Sequence, residues 1–217
     1  MTEAEALRAL VGPDEGAAAR AATALWEMWH RSGDREVDTL LREGVAVMER
    51  RDLAGAEAIF ARLIARAPEF AEGWNKRATV RYVAENYEGS IDDCEETLKR
   101  KPHHFGALAG QGLCYMALGR HREAAAVFRR ALGVHPRLQG VRHNLASALS
   151  EAVRGNGHPP GAPAPTLAEF HQFRGRCRRR ISSCSRGARA RCSRGRFSGC
   201  PPARRRSFSA RVWPAHP

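Results

Sequence analysis

The stretch Phe105–Pro136, FGALAGQGLCYMALGRHREAAAVFRRALGVHP, decides how the rest of the chain is read. Small and apolar residues recur at helical spacing on both sides of Gly119-Arg120, the pattern of two amphipathic helices joined by a tight turn. Gly112 and Tyr115 fall on the first helix and Ala124, Phe128 and Ala131 on the second, with Pro136 as the stop. The same landmarks recur 34 and 68 residues upstream. Pro136 answers to Pro102 and Pro68, Leu108 to Trp74 and Leu40, and Gly112 to Ala78 and Gly44. Likewise Ala124 answers to Ser90 and Ala56, and Phe128 to Cys94 and Phe60. A hairpin of this length has an apolar face too large to leave wet, so successive hairpins are expected to stack side by side.

Working outward, the pattern gives three repeats at 37–70, 71–104 and 105–136. Their first helices are VDTLLREGVAVMER, AEGWNKRATVRYVAE and the start of the stretch above. Asp52 is placed to cap the second helix of the first repeat, and Asn86-Tyr87 to make the turn of the second. Residues 1–36 are expected to form N-terminal capping helices: Thr2 to Leu10, a break at Gly12-Pro13-Asp14, then Gly16 to Arg31 with Leu25, Met28 and Trp29 on one face. Trp26 and Trp29 are expected to dock this helix over the open side of the first repeat, since terminal repeats need covering. A ligand-binding role for the two tryptophans is the alternative. Residues 137–154 read as a C-terminal capping helix, with Leu138, Val141, Leu145, Leu149 and Val153 in helical period and Gly155 as a stop.

This pattern resembles the tetratricopeptide repeat (TPR) family. The third repeat carries its motif most fully, in Leu108, Gly112, Tyr115, Ala124, Phe128, Ala131 and Pro136. The second departs from it at Arg81, Ser90 and Cys94. More narrowly, LWEMWHRSG, EFAEGWNKRATV and KPHHFGALAGQG are similar to a group of small bacterial and plastid-lineage repeat proteins with no assigned reaction. The resemblance implies an all-α fold: an α-α superhelix of three helix-turn-helix repeats with a capping helix at each end. It also implies a protein or peptide partner, held on an inner surface lined by the first helices. The residues expected there are Leu41, Val45 and Met48, then Asn75, Thr79 and Tyr82, then Ala109, Leu113 and Met116, with His143 and Ser147 extending the surface. Such a surface suits an amphipathic helix or an extended peptide with apolar anchors. Whether it is open or covered by the Trp26/Trp29 helix is not decided by the pattern. Some family members clamp the C-terminal carboxylate of a chaperone with Lys and Asn on these helices. Here the matching positions hold Leu41, Val45, Asn75, Thr79, Ala109 and Leu113, and only Asn75 is of a suitable type. No such clamp is expected.

No Ser/His/Asp set, glycine-rich phosphate loop or H-E-x-x-H is present, so a non-catalytic protein without cofactor is expected. Adjacent His103 and His104 read as turn polarity, and Asp92, Asp93, Glu95 and Glu96 as a solvated acidic face. Cys94 and Cys114 read as small core residues. No run is long and apolar enough for a membrane helix, and MTEAEALRAL lacks a secretory pattern; a cytoplasmic protein is expected, unless the natural N-terminus differs.

Charge divides the chain sharply. Residues 1–154 hold 22 Lys and Arg against 22 Asp and Glu, whereas residues 155–217 hold 14 Arg against Glu169 alone. The tail opens with GNGHPPGAPAPT and is expected to be disordered, because sparse apolar residues cannot offset ordering entropy. Its four cysteines, Cys177, Cys184, Cys192 and Cys200, lack the close pairing of a zinc site. Its arginines, with Phe197, Phe208 and Trp213, carry the alternative function of a nucleic-acid-associated protein whose repeats recruit a partner. An Arg-rich, Lys-free composition is equally what GC-rich DNA yields when read out of frame.

Overall fold

The computed structural model describes residues 1–154. The expectations for residues 155–217, their disorder, their cysteines and their basic contacts, lie outside the described residues. Within 1–154 the chain is all-helical, with no strand. An N-terminal hairpin, α1 (Glu3–Val11) and α2 (Glu15–Trp29), precedes three helical pairs. These are α3 (Arg35–Glu49) with α4 (Leu53–Arg66), α5 (Ala71–Val83) with α6 (Tyr87–Arg100), and α7 (Phe105–Ala117) with α8 (His121–Val134). A last helix, α9 (Gln139–Arg154), packs on α8.

Helix starts follow capping chemistry. Thr2 and Glu5 form a capping box on α1, and Asp14 and Asp34 accept from the first turns of α2 and α3. Asp52 caps α4 as expected, and Asn86 repeats the device on α6. The turns inside the three repeats are equally periodic. Arg51, Glu85 and Gly119 stand 34 apart and all have positive φ, at 66°, 62° and 73°. Only the third is glycine, so the first two turns carry a side chain in the left-handed region, at a cost of ~1–2 kcal/mol each.

Layer packing in the first and third repeats is a ring set against a bare backbone. A Cβ on Gly44 would stand 2.5 Å from Phe60, and one on Gly112 would be closer still to Phe128. Phe60 and Phe128 are fully buried, each contributing ~1.5–3 kcal/mol by burial. The middle repeat is built differently. Ala78 replaces the glycine and the buried Cys94 replaces the ring. Ser90 Oγ donates to the Ala78 carbonyl at 2.8 Å and accepts from Cys114 Sγ at 3.2 Å. Beside this layer, Arg77 grips Asp93 through two bonds of 2.9 and 2.8 Å. Arg81 reaches the same carboxylate at 3.1 Å and Glu57 on α4 at 2.7 Å. Asp93 is therefore not part of a solvated acidic face, as the sequence suggested: it is buried because two guanidinium groups converge on it. Arg81, out of family pattern, is the strut that joins the first and second repeats.

The N-terminal hairpin also departs from expectation. Its apolar side does not cover the first repeat. Ala6, Leu10, Ala21, Leu25 and Trp29 share a cluster with Phe105, and Val134 and Leu138 pack against it. The hairpin rests on the third repeat because the apolar rim and the cationic anchors are there. Lys101 Nζ lies 2.7 Å from Glu3, and Arg137 donates to the carbonyls of Leu10 and Gly12 at 2.8 and 2.6 Å.

Candidate functional site

The inner face of α3, α5 and α7 is divided in two, and α2 makes the division. On the covered part, the Trp26 ring edge enters the space left by Gly106, where a Cβ would stand 2.6 Å from it. Trp29 stacks on His104 with centroids 4.4 Å apart, and its indole N–H donates to Glu3 at 2.9 Å. Phe105 closes the set, meeting both indoles at 5.2 Å.

At the centre of the covered part is a buried charge. Glu72, in the first turn of α5, is fully enclosed. Its Oε2 lies 3.1 Å from His104 Nε2. Its Oε1 lies 3.2 Å from His30 Nε2 and 3.3 Å from Lys76 Nζ, one helical turn on. Asn75 Nδ2 approaches both oxygens, at 3.3 and 3.2 Å. Burial alone would push this carboxyl up; Lys76, His104 and His30 outweigh it and hold it down to about 2. His104 also caps α7: its Nδ1 accepts from Ala107 N at 3.0 Å, so Nε2 carries the proton that Glu72 takes up. The two histidines of the turn thus separate. His103 is exposed, while His104 is buried because one ring serves helix cap and carboxylate together. His30 is lowered by burial, against the pull of Glu72; its Nδ1 faces the Trp26 carbonyl at 2.7 Å.

The ten residues expected on the inner surface fall into distinct environments. Asn75 and Thr79 are buried, and Thr79 spends its hydroxyl on the Asn75 carbonyl at 2.9 Å. Leu41, Ala109 and Leu113 are buried too. Val45, Met48, Tyr82 and Met116 keep accessible surface, and His143 is exposed on α9. Leu41, Val45 and Met48 pack together in the first repeat, while Tyr82 and Met116 pack over Ala109 and Leu113. A shallow cleft of about 320 Å³ opens beside the end of α2, lined by His30, Leu41, Arg42, Val45, Ala46 and Glu49. Burial raises the Tyr82 hydroxyl above the ordinary phenol range.

Sequence reasoning missed Glu72, His30 and His104. Glu72 and Lys76 were visible as an i, i+4 pair, but nothing local says that a histidine 42 residues earlier would cover them.

Among the described residues no three His, Cys, Asp or Glu side chains are grouped to hold a metal ion, and no helix is long and apolar enough to cross a membrane. The tetratricopeptide repeat family profile matches residues 41–102 and 75–138. A TPR repeat-containing protein of Rhizobium etli is 30% identical over 128 residues, covering 59% of this chain and 62% of that protein. The Hsp70-Hsp90 organizing protein of Triticum aestivum is 24% identical over 135 residues, covering 62% of this chain but only 23% of that protein. This chain thus spans less than two thirds of the length of either relative. Among solved structures, the first TPR domain of Spaghetti (RPAP3), bound to the Hsp90 peptide SRMEEVD, superposes with a TM-score of 0.53 at 17% identity. It covers 55% of this chain and 94% of that one, and shows the shared fold.

Proposed function

The chain belongs to the tetratricopeptide repeat family, and from its inner face we propose that it is a non-catalytic scaffold that holds a helix or peptide of a partner protein. The repeats form a protein-interaction surface; the finer reading is where on it the partner sits. The observation that carries it is the accessible apolar strip made by Val45, Met48, Tyr82 and Met116, beside the end of α2. Four apolar or aromatic side chains at similar depth on successive helices suit anchors spaced along one amphipathic partner, and the two methionines let the strip adapt to it. Leu41, Ala109 and Leu113 form its floor, while Asn75 and Thr79 belong to the covered part. His143 extends the strip along α9. The boundaries that best express this are the hairpin 1–36, the repeats 37–136 and the end helix 137–154.

The site does not favour an acidic peptide end, although such peptides occupy the neighbour described above. Asn75, the one suitable residue, is committed to Glu72 and lies beside an ionised carboxylate. Titrating the full chain with SRMEEVD in a calorimeter is expected to give no heat above dilution. Micromolar binding that disappears in Asn75→Ala would falsify this.

The reading is tested by affinity capture with the full chain against Tyr82→Asp and Met116→Asp, with captured proteins identified by mass spectrometry. Each substitution places a charge on the strip, and loss of the same captured set from both variants is expected. Capture that survives both changes, with helical content intact, rules the strip out. The nucleic-acid alternative depended on residues 155–217, and nothing in residues 1–154 adds to it.

A further inference from the structure

We propose that α2 is an intramolecular ligand of the inner face, and that a partner helix of the same chemistry, amphipathic with paired aromatics three apart followed by a hydrogen-bonding residue, competes for its place. The inference rests on the reading of the inner face as the docking face. It adds a second, covered half to that face and names what fits it.

Three observations carry it. First, the covered half is shaped for an aromatic side chain that the repeats themselves do not supply. Gly106 leaves a notch into which the edge of Trp26 fits, flanked by Phe105 and the ring of His104. A Cβ at that position would close it. Second, α2 meets this surface through side-chain tips. Trp26, Trp29 and His30 reach down to Gly106, His104 and Glu72, respectively. The hairpin's remaining hold is made by its partner helix: Glu3 on Lys101, and the α1 terminus on Arg137. Third, the fit is incomplete. The side-chain oxygen of Asn75 is buried beside Glu72 and accepts no hydrogen bond among the described residues. A buried acceptor left without a donor weakens the occupied state, so a ligand that supplies one gains over α2.

The groups facing His30 and Glu72 come from every element around them: Lys76 and Asn75 on α5, and His104 at the start of α7. With α2 removed, Glu72 keeps Lys76 and His104, so the vacated half retains a compensated carboxylate and not a naked one.

The test uses a fluorescein-labelled synthetic peptide of residues 14–31 and the full chain. Loosening the hairpin at α1, through the paired change Lys101→Ala with Arg137→Ala, leaves every α2 contact site untouched. An intramolecular occupant lowers apparent affinity by the fraction of time the site is open. The labelled peptide is therefore expected to bind the paired variant about tenfold or more tighter than the unaltered chain. A peptide in which both Trp26 and Trp29 are replaced by Ala is expected to lose binding to either. As a second measure, the unaltered chain with a protease site inserted at the exposed Gly33 is nicked, and the hairpin fragment is expected to exchange with labelled peptide. Equal binding to both chains, or a nicked hairpin that never exchanges while circular dichroism shows the repeats folded, overturns the proposal. The two readings fail separately. If Tyr82→Asp abolishes partner capture and the peptide never exchanges, the strip stands and this inference falls. If the peptide exchanges and Tyr82→Asp changes nothing, the converse holds.

Discussion

The third repeat and the second solve the same packing problem with opposite chemistry. The third seats a phenyl ring against a backbone with no Cβ, Phe128 on Gly112. The second fills the equivalent space with Cys94 and Ala78, and compensates with Ser90, Asp93, Arg77 and Arg81. A steric layer is local and non-directional, so it tolerates neighbours. A polar layer is directional and holds only while every partner is present. The second repeat therefore joins the first through Arg81–Glu57 and the third through Glu72–His104. A motif position that loses its apolar residue here has become a link between repeats.

Four changes break or sharpen this contrast. The largest effect is expected from Phe128→Ala, which empties a fully buried site and costs ~3–5 kcal/mol in chemical denaturation. Asp93→Ala comes next. It strands two guanidinium groups, one of them well buried, and is expected at the low end of the ~3–5 kcal/mol typical of broken buried pairs. A loss below that of an ordinary surface change would mean that the polar layer is decorative. Cys94→Phe restores the family residue and is nevertheless expected to destabilise by ~1–3 kcal/mol, because Ala78 occupies the space that glycine leaves elsewhere. Adding Ala78→Gly should recover part of that loss in a double-mutant cycle. The smallest effect is expected from Glu85→Gly, which relieves a side chain at positive φ and should stabilise by less than ~1 kcal/mol.

Acid sharpens the comparison further, because the buried carboxylates at issue belong to the second repeat. Glu72 titrates at about 2 against an ordinary value of 4.5. Its contribution is complete above pH 4.5 and is lost as pH falls from there towards 2. His30 and His135 are lowered, chiefly by burial. Their neutral forms favour the folded state, so stability begins to fall as pH drops below 6.5. Unfolding of Glu72→Gln followed by circular dichroism across pH 2–5 should lack the lower limb while keeping the one from the histidines.

Much of the architecture was legible in the sequence, because a glycine opposite a phenylalanine is a steric pair that each repeat must satisfy within itself. Phe60 with Gly44 and Phe128 with Gly112 lie within single hairpins, and so do the caps at Asp52 and Asn86. The covered half of the inner face was not legible, for a different reason. Whether Trp26 and Trp29 lie over the first repeat or the third depends on where the curved stack brings Phe105, Val134 and Leu138, a long-range outcome with no local signature. His104 misled in the same way: a histidine after Pro102 has the composition of a loop, and only the approach of Glu72 from 32 residues away makes it a core residue. Asp93 looked solvated because its acidic neighbours are; its partners lie 12 and 16 residues earlier, on the facing helix.

The strap also alters how the molecule comes apart. An unbridged row of hairpins can fray from either end, one unit at a time. Here the chain's first dozen residues are bonded to Lys101 and Arg137, up to 127 positions away. The opening segment and the last turn of the array are thereby one cooperative block, and amide protection in α1 should match that in α8, not that of a loose end. Sealing such a contact requires the final repeat to exist before the first helix can settle, so the beginning of the chain is expected to be the last part to become ordered.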